Sequence, residues 1–432
     1  MGLSLAFHIV FAMFGIGLPL MLLIAEGIAL RTGNALYREI ARAWARPLAV
    51  LFAVGAVSGT ILSFEFGLLW PTWMEFSGAI IGLPFALEGF AFFTEAIFLG
   101  LYLFGWERLS PRAHWLCTIP LVVSSALSAF FVISANAWMN QPEGFEVVAG
   151  KAVNVDPLAA MLNDAMPYQV VHGALPAYVV TGFAVAAVYA FAMLRGDRSA
   201  YNRKALALAM AVAAVATPLQ IVSGDLSARF LAHQQPEKFA AMEAQFETER
   251  GAPLRIGGIP DPDDRTVRYA IEVPKLASFL AFEDVNAEIR GLNSFPESDV
   301  PDVRIVHFSF QAMVGIGFLL LFVSLWFWVA TWRRKRVDPG RALLGAIVAA
   351  GPLGVVALQA GWFVTEFGRQ PWIIYRLMRV EDAATPREGI GFVFLVFTLV
   401  YVALAIGLGL ILLRERGRGA RSAALQEAPR VA

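Results

Sequence analysis

The chain has 432 residues, 58% of them hydrophobic and 16% charged, with a mean hydropathy of +0.62, which excludes an ordinary water-soluble globule and points to an integral membrane protein. Lys plus Arg and Asp plus Glu balance at 34 each, so there is no overall basic charge to support nucleic-acid binding. The single cysteine, Cys117, excludes an internal disulfide, a Cys-rich iron–sulfur site and a C-x-x-C-H haem attachment; His, Met or carboxylate must hold any redox cofactor.

The N-terminus enters an apolar run almost at once, with no basic flank and no small-residue cleavage site, which predicts a retained first helix. Runs of about 20 residues, long enough to cross a ~30 Å hydrocarbon core, follow at roughly 4–30, 47–70, 80–105, 114–138, 169–194, 204–225, 306–331, 342–366 and 389–413. The fold class is therefore an all-α integral membrane protein of about nine spanning helices. Arg31, Arg38, Arg42 and Arg46 follow the first run, Arg108 and Arg112 the third, Arg195, Arg198, Arg203 and Lys204 the fifth, Arg333 to Arg336 the seventh and Arg414 to Arg421 the ninth. This alternation predicts the N-terminus outside and the C-terminus cytoplasmic. Arg369, Arg376, Arg379 and Arg387 break the rule after helix 8 and stand as functional candidates. The predicted organisation is helices 1–6 over 1–225, a long outer-face loop over 226–304, helices 7–9 over 305–414 and a disordered cytoplasmic tail over 415–432. The loop opens on "EKFAAMEAQFETERGAPLRIGGIPDPDD", a helical pattern giving way to Gly/Pro-rich turns, which predicts an ordered unit.

Ionisable groups within a bilayer are costly unless they ligate, pair or line a water path. At about 1.5 Å of rise per residue, His8, His172, Met313, Trp362 and Glu366 all fall in the outer half of the membrane, on different helices. His172 with Met313 could make a six-coordinate low-spin haem site, or be a carbonyl-bonded histidine and a core methionine. His8 and Glu366 could each hold an iron singly, or be an interfacial histidine and a partner of Arg369 at i+3. Glu88 and Glu95, seven residues apart in "LEGFAFFTEAIF", share one helix face and read as a proton relay. Glu65 and Glu26, near helix ends, are explained by interfacial position. In the loop, Lys238 and Glu243 lie about 140° apart on an ideal helix; they could grip a ligand's polar head together, and a solvated face is the simpler reading. His114, His233 and His307 receive no ligand role.

Together these residues resemble subunit I of the cytochrome bd quinol oxidases, including the cyanide-insensitive oxidases. The resemblance rests on "GRQPW" at 368–372 after Glu366, "EGFAFFTEAIFLGLYLFGWERLS", "VHGALPAYVVTGF", "HFSFQAMVGIGF", and "EKFAAMEAQFETE" with "GIPD". It implies quinol oxidation at the outer face and reduction of O2 to water with cytoplasmic protons, without pumping, in a bacterial inner membrane. It implies His172 and Met313 as ligands of a low-spin haem b. His8 and Glu366 are implied to serve a high-spin haem b and a haem d, or a further haem b. Glu88 is implied in the high-spin pocket and Glu95 in the proton path, with Trp362 and Arg369 flanking the haems and Arg369 neutralising a propionate. Lys238 and Glu243 are implied to contact quinol, and Gln311 stands where many members carry an arginine that meets a propionate or quinol. The partners implied are a second membrane subunit and a small accessory subunit.

A haem–copper oxidase is excluded because its centres need more histidines than the five present. A proton-coupled secondary transporter using Glu88 and Glu95 is the alternative, and it predicts broken midplane helices and internal repeats.

Overall fold

The computed structural model of the chain describes residues 1–334 and 337–427. Helix α1 (Gly2–Thr32) ends where Gly33 takes φ 69°, and Asn34 caps α2 (Ala35–Leu69) by accepting from Leu36 N at 3.1 Å. Only Trp70 separates α2 from α3 (Pro71–Phe104), because Pro71 at the first helical position starts the new helix at once. Ser110 caps α4 (Pro111–Leu116), which meets α5 (Thr118–Asn140) at Cys117. The break fits Pro120, whose missing N–H leaves the Leu116 carbonyl without its helical partner. A hairpin, β1 (Glu146–Val148) with β2 (Lys151–Val153), and the short α6 (Pro157–Met161) lead to α7 (Met166–Leu194) and α8 (Ala200–Gln234).

Next comes the long loop. It holds α9 (Pro236–Glu243), β3 (Glu249–Arg250), β4 (Leu254–Ile256), β5 (Ile259–Asp261), β6 (Thr266–Arg268), β7 (Ile271–Val273), α10 (Leu276–Phe282) and β8 (Glu288–Ile289). The strands pair antiparallel as β3–β8, β4–β7 and β5–β6, so the loop is an ordered unit. Its start lies later than 226, since α8 runs on to Gln234 beyond its apolar part.

Helices α11 (Val303–Arg334) and α12 (Arg341–Phe367) form a pair, followed by β9 (Trp372–Ile374), β10 (Met378–Arg379), α13 (Val380–Ala383) and α14 (Ile390–Glu427). The tail expected to be disordered from 415 instead continues α14 to Glu427, as its Ala, Arg, Glu and Leu content favours once a helix is under way. Residues 428–432 lie outside the described residues.

Among the described residues nine helical spans are long and apolar enough to cross a membrane: α1, α2, α3, α4 with α5, α7, α8, α11, α12 and α14. The core is built where α7 lies against α8 and α12 and α1 against α2, from residues such as Met21, Leu22, Phe183, Met210, Leu344 and Ile347. Outward-facing Phe90, Phe322 and Leu399 stay exposed, as suits a chain whose outer solvent is hydrocarbon. One end of the bundle carries the long loop and is called the loop face below; the opposite end is the far face.

Small residues let the helices approach. A Cβ on Gly182 of α7 would stand 2.8 Å from both the backbone nitrogen and the Cβ of Ala213 on α8. Gly182→Val should therefore force the central pair apart at a cost of about 1–3 kcal/mol, read as a lower thermal midpoint of the purified protein in detergent. An unchanged midpoint would remove this contact from the account of the core.

Candidate functional site

Two histidines are held in the same way. His8 on α1 places Nδ1 2.9 Å from Ser58 Oγ on α2, and Ser58 donates its own proton to Val54 O (2.9 Å) or Gly55 O (3.0 Å). His172 on α7 places Nδ1 3.1 Å from Ser223 Oγ on α8, and Ser223 donates to Gln220 O at 2.9 Å. Each serine can direct its proton at a helix carbonyl, which frees its oxygen to accept Nδ1–H, and in that tautomer the lone pair lies on Nε2, as a metal ligand needs. The Gln220 amide lies over the His172 ring, 3.1 Å from Nδ1 and 3.5 Å from Nε2, with its Oε1 buried and unpartnered.

Each ring, and the methionine, rests on a glycine. A Cβ would come 3.1 Å from His8 Cε1 at Gly59, 3.2 Å from His172 Cε1 at Gly224 and 3.0 Å from Met313 Sδ at Gly361. Larger residues there would push the ring or thioether out of place. Among the described residues no cluster of three or more His, Cys, Asp or Glu side chains could hold a bare metal ion. Single candidate donors, one to a helix, suit a macrocycle that brings four of its own.

The "TEFGRQPW" stretch closes α12. Arg369 is buried, 4% exposed; its Nη2 donates to Glu366 Oε2 at 2.9 Å and its Nη1 to Asn136 Oδ1 at 3.3 Å. The i+3 pairing between Glu366 and Arg369 therefore does form, with Oε1 of Glu366 left over. Arg369 Nε and Trp372 Nε1 are buried donors without partners, each able to donate to an anionic group. Trp362 is half-buried one turn before Glu366.

The long loop bears directly on this turn. Lys238 and Glu243 on α9 are 5% and 6% exposed, so the solvated-face reading fails: the loop folds over its own first helix. The Lys238 stem packs on Gly368, where a Cβ would stand 3.0 Å from Lys238 Cε. Burial lowers the Lys238 ammonium to about 7, helped by the Arg369 guanidinium and opposed by the Glu366 carboxylate. Burial raises Glu243 to about 7 against the pull of Arg255, and its Oε2 is a buried acceptor without a partner. The amide of Gln311 is used by the loop backbone, donating to Arg255 O at 2.9 Å and accepting from Gly257 N at 3.0 Å. His307 is equally buried, between Met242 O (2.8 Å) and Gly257 O (3.1 Å).

Two of the arginines that break the charge rule after helix 8 answer loop acids. Arg379 pairs with Asp299 at 2.5 Å, and Arg376 with Glu237 at 3.5 Å, while Tyr375 donates to Glu237 at 2.6 Å. Their sequence neighbours hold no sign of these partners.

Glu88 and Glu95 lie deeper in the bundle. Glu88 accepts from Ser128 Oγ on α5 at 3.0 Å, and Glu95 points at α1, its Oε1 4.0 Å from the Cβ position of Gly15. Sequence reasoning missed Ser58 and Ser223, whose i−3 and i−4 carbonyls are the only local signal. It also missed the burial of Glu65 (1%) under Ser4 Oγ, which donates to it at 2.6 Å.

Comparison with known proteins identifies the family and the fold. The family described as cytochrome bd terminal oxidase subunit I matches residues 1–420. A Bacillus subtilis (strain 168) protein provisionally named cytochrome bd menaquinol oxidase subunit I is 38% identical over 407 residues, 93% of this chain and 91% of its own. Subunit 1 of the cytochrome bd-II ubiquinol oxidase of Escherichia coli (strain K12) is 30% identical over 450 residues, covering 88% and 87%. The solved bd oxidase of Geobacillus thermodenitrificans superposes with a TM-score of 0.91 at 39% identity, covering 96% of each chain. The chain belongs to the cytochrome bd terminal oxidase subunit I family.

Proposed function

We propose that this chain is the haem-bearing subunit of a terminal oxidase of the bacterial inner membrane, oxidising quinol at the loop face and reducing O2 to water. The observation that carries the reading is the repeated serine–histidine–glycine arrangement at His8 and His172, two imidazoles fixed in the apolar bundle with a serine oxygen at Nδ1 and a glycine beneath the ring. His172 and Met313 would hold a low-spin haem b. His8 and the Oε1 side of Glu366 would serve a high-spin haem b and a haem d or further haem b, and Arg369 Nε with Trp372 Nε1 would meet a propionate. Bound there, the haems would supply one-electron transfer and the iron at which oxygen is reduced.

The protein's own part is to hold these groups, take protons from quinol and deliver protons inward. In this reading Glu243 accepts a quinol proton, Lys238 orients the quinol oxygen beside Glu366, and Glu88 and Glu95 carry protons drawn from the far, cytoplasmic face. Oxidation and uptake on opposite faces separate charge without pumping. The loop that follows α8 is then the quinol unit, and the spanning helices before and after it the haem unit. Membership as subunit I implies a second membrane subunit; a small accessory subunit would complete the assembly. The transporter alternative loses its footing, since Glu88 and Glu95 sit on one unbroken helix.

Met313→Leu should abolish the low-spin haem signal in the reduced spectrum while leaving the high-spin bands; a normal low-spin signal would refute the ligand assignment. Lys238→Ala should lower quinol oxidation with the haem spectrum intact, and unchanged turnover across quinol concentrations would count against a loop site. Glu243 is an ionised base only above about pH 7, so kcat/KM for quinol should have an ascending acid limb, which ends near pH 7 as Lys238 begins to lose its proton. Glu243→Gln should lower the rate and remove that limb; its persistence in the variant would assign the limb to another group.

A further inference from the structure

The spacing that aligns Glu88 with Glu95 continues one step toward the far face, because Tyr102 lies seven residues beyond Glu95 on the same side of α3. Tyr102 is fully buried, and its hydroxyl donates to Glu26 Oε1 of α1 at 2.6 Å. Glu26 Oε2 lies 3.0 Å from His114 Nδ1, and His114 Nε2 lies 2.9 Å from Tyr102 O. Both ring nitrogens face acceptors, so the ring can carry a second proton without losing a hydrogen bond. Glu26 is 5% exposed and His114 2%, although an interfacial glutamate and a loop-edge histidine were expected.

This cluster is connected on two sides. Outward, Glu26 and His114 line an open cleft of about 230 Å³ at the turn between α1 and α2, with Asn34, Arg38 and Pro111 on its walls. Inward, Glu26 follows Gly15 by eleven residues, about three turns, which returns to nearly the same face of α1. Gly15 is the residue that Glu95 approaches. Side chains of α3 thus reach α1 at two levels, Tyr102 at Glu26 and Glu95 at Gly15, about 10 Å apart along α3. A buried polar cluster of this kind is weak evidence for stability, since apolar replacements commonly hold a fold as well or better.

We propose that Glu26, His114 and Tyr102 form the entry station at which protons leave the water of the far-face cleft for Glu95 and Glu88. The proposal rests on the reading of Glu88 and Glu95 as a relay. A hydronium O–H bond breaks in the cleft, and an O–H bond forms on the Glu26 carboxylate. The carboxyl then releases a proton inward, through ordered water, to the Glu95 carboxylate and is itself restored, and no electron moves.

The test uses the complete oxidase, with its partner subunit, in proteoliposomes. Glu26→Gln should lower turnover at least about tenfold and raise the solvent deuterium isotope effect, at unchanged haem spectrum and quinol KM. Glu26→Asp should restore most of the rate. Wild-type turnover and isotope effect in a fully haem-loaded Glu26→Gln enzyme would overturn the proposal. So would haem loss in both the Gln and Asp variants, which would assign the cluster a purely structural role. If Glu26→Gln alone fails to assemble, Tyr102→Phe, the removal of one oxygen, decides in its place by the same two readouts. Glu95→Gln separates the two readings: wild-type turnover there removes the relay itself, whereas a slow Glu95→Gln beside a fast Glu26→Gln removes only the entry station.

Discussion

The architecture answers one constraint, the cost of placing polar groups where there is little water to solvate them. Each buried group that could act must be aimed and its remaining hydrogen-bonding capacity met from within the bundle. Serine recurs as the means: Ser58 and Ser223 hold imidazoles, Ser128 and Ser4 hold carboxylates. Ser58 and Ser223 can donate to carbonyls of their own helix while their oxygens accept from a ring, and Ser128 and Ser4 donate to the carboxylates, so each adds a polar contact without leaving a donor exposed to hydrocarbon.

The same constraint sets where the loop must go. Glu366 and Arg369 lie at the mouth of the bundle, where lipid and water would otherwise compete for them. The loop covers them with α9, and its acids neutralise Arg376 and Arg379. The loop is thus part of the dielectric boundary of the site. Its own Lys238 and Glu243 are pushed toward neutrality by the cover it provides.

Much of this was legible in the sequence for a simple reason: hydrocarbon demands long apolar runs, so nine spans declare themselves by composition, and the costly exceptions within them stand out. His8, His172, Met313, Glu88, Glu95 and Glu366 were visible as exceptions. Their surroundings were not, because His114 finds Glu26 across 88 positions of sequence and Gly361 finds Met313 only when α11 meets α12. Polar helix extensions were also hidden, so the start of α2 and the far end of α8 were read as connections. The burial of α9 depends on a loop whose strands pair at long range, and a polar helix offers no local sign that it will be covered.

The serine–histidine pairs also bear on the order of assembly. Ser58 reaches His8 as soon as α1 meets α2, and Ser223 reaches His172 as soon as α7 meets α8, both pairs being neighbours in the chain. The imidazoles are thereby oriented through Nδ1 by helical hairpins that need no other part of the bundle. Each hairpin can therefore fix its imidazole before the rest of the bundle closes around it.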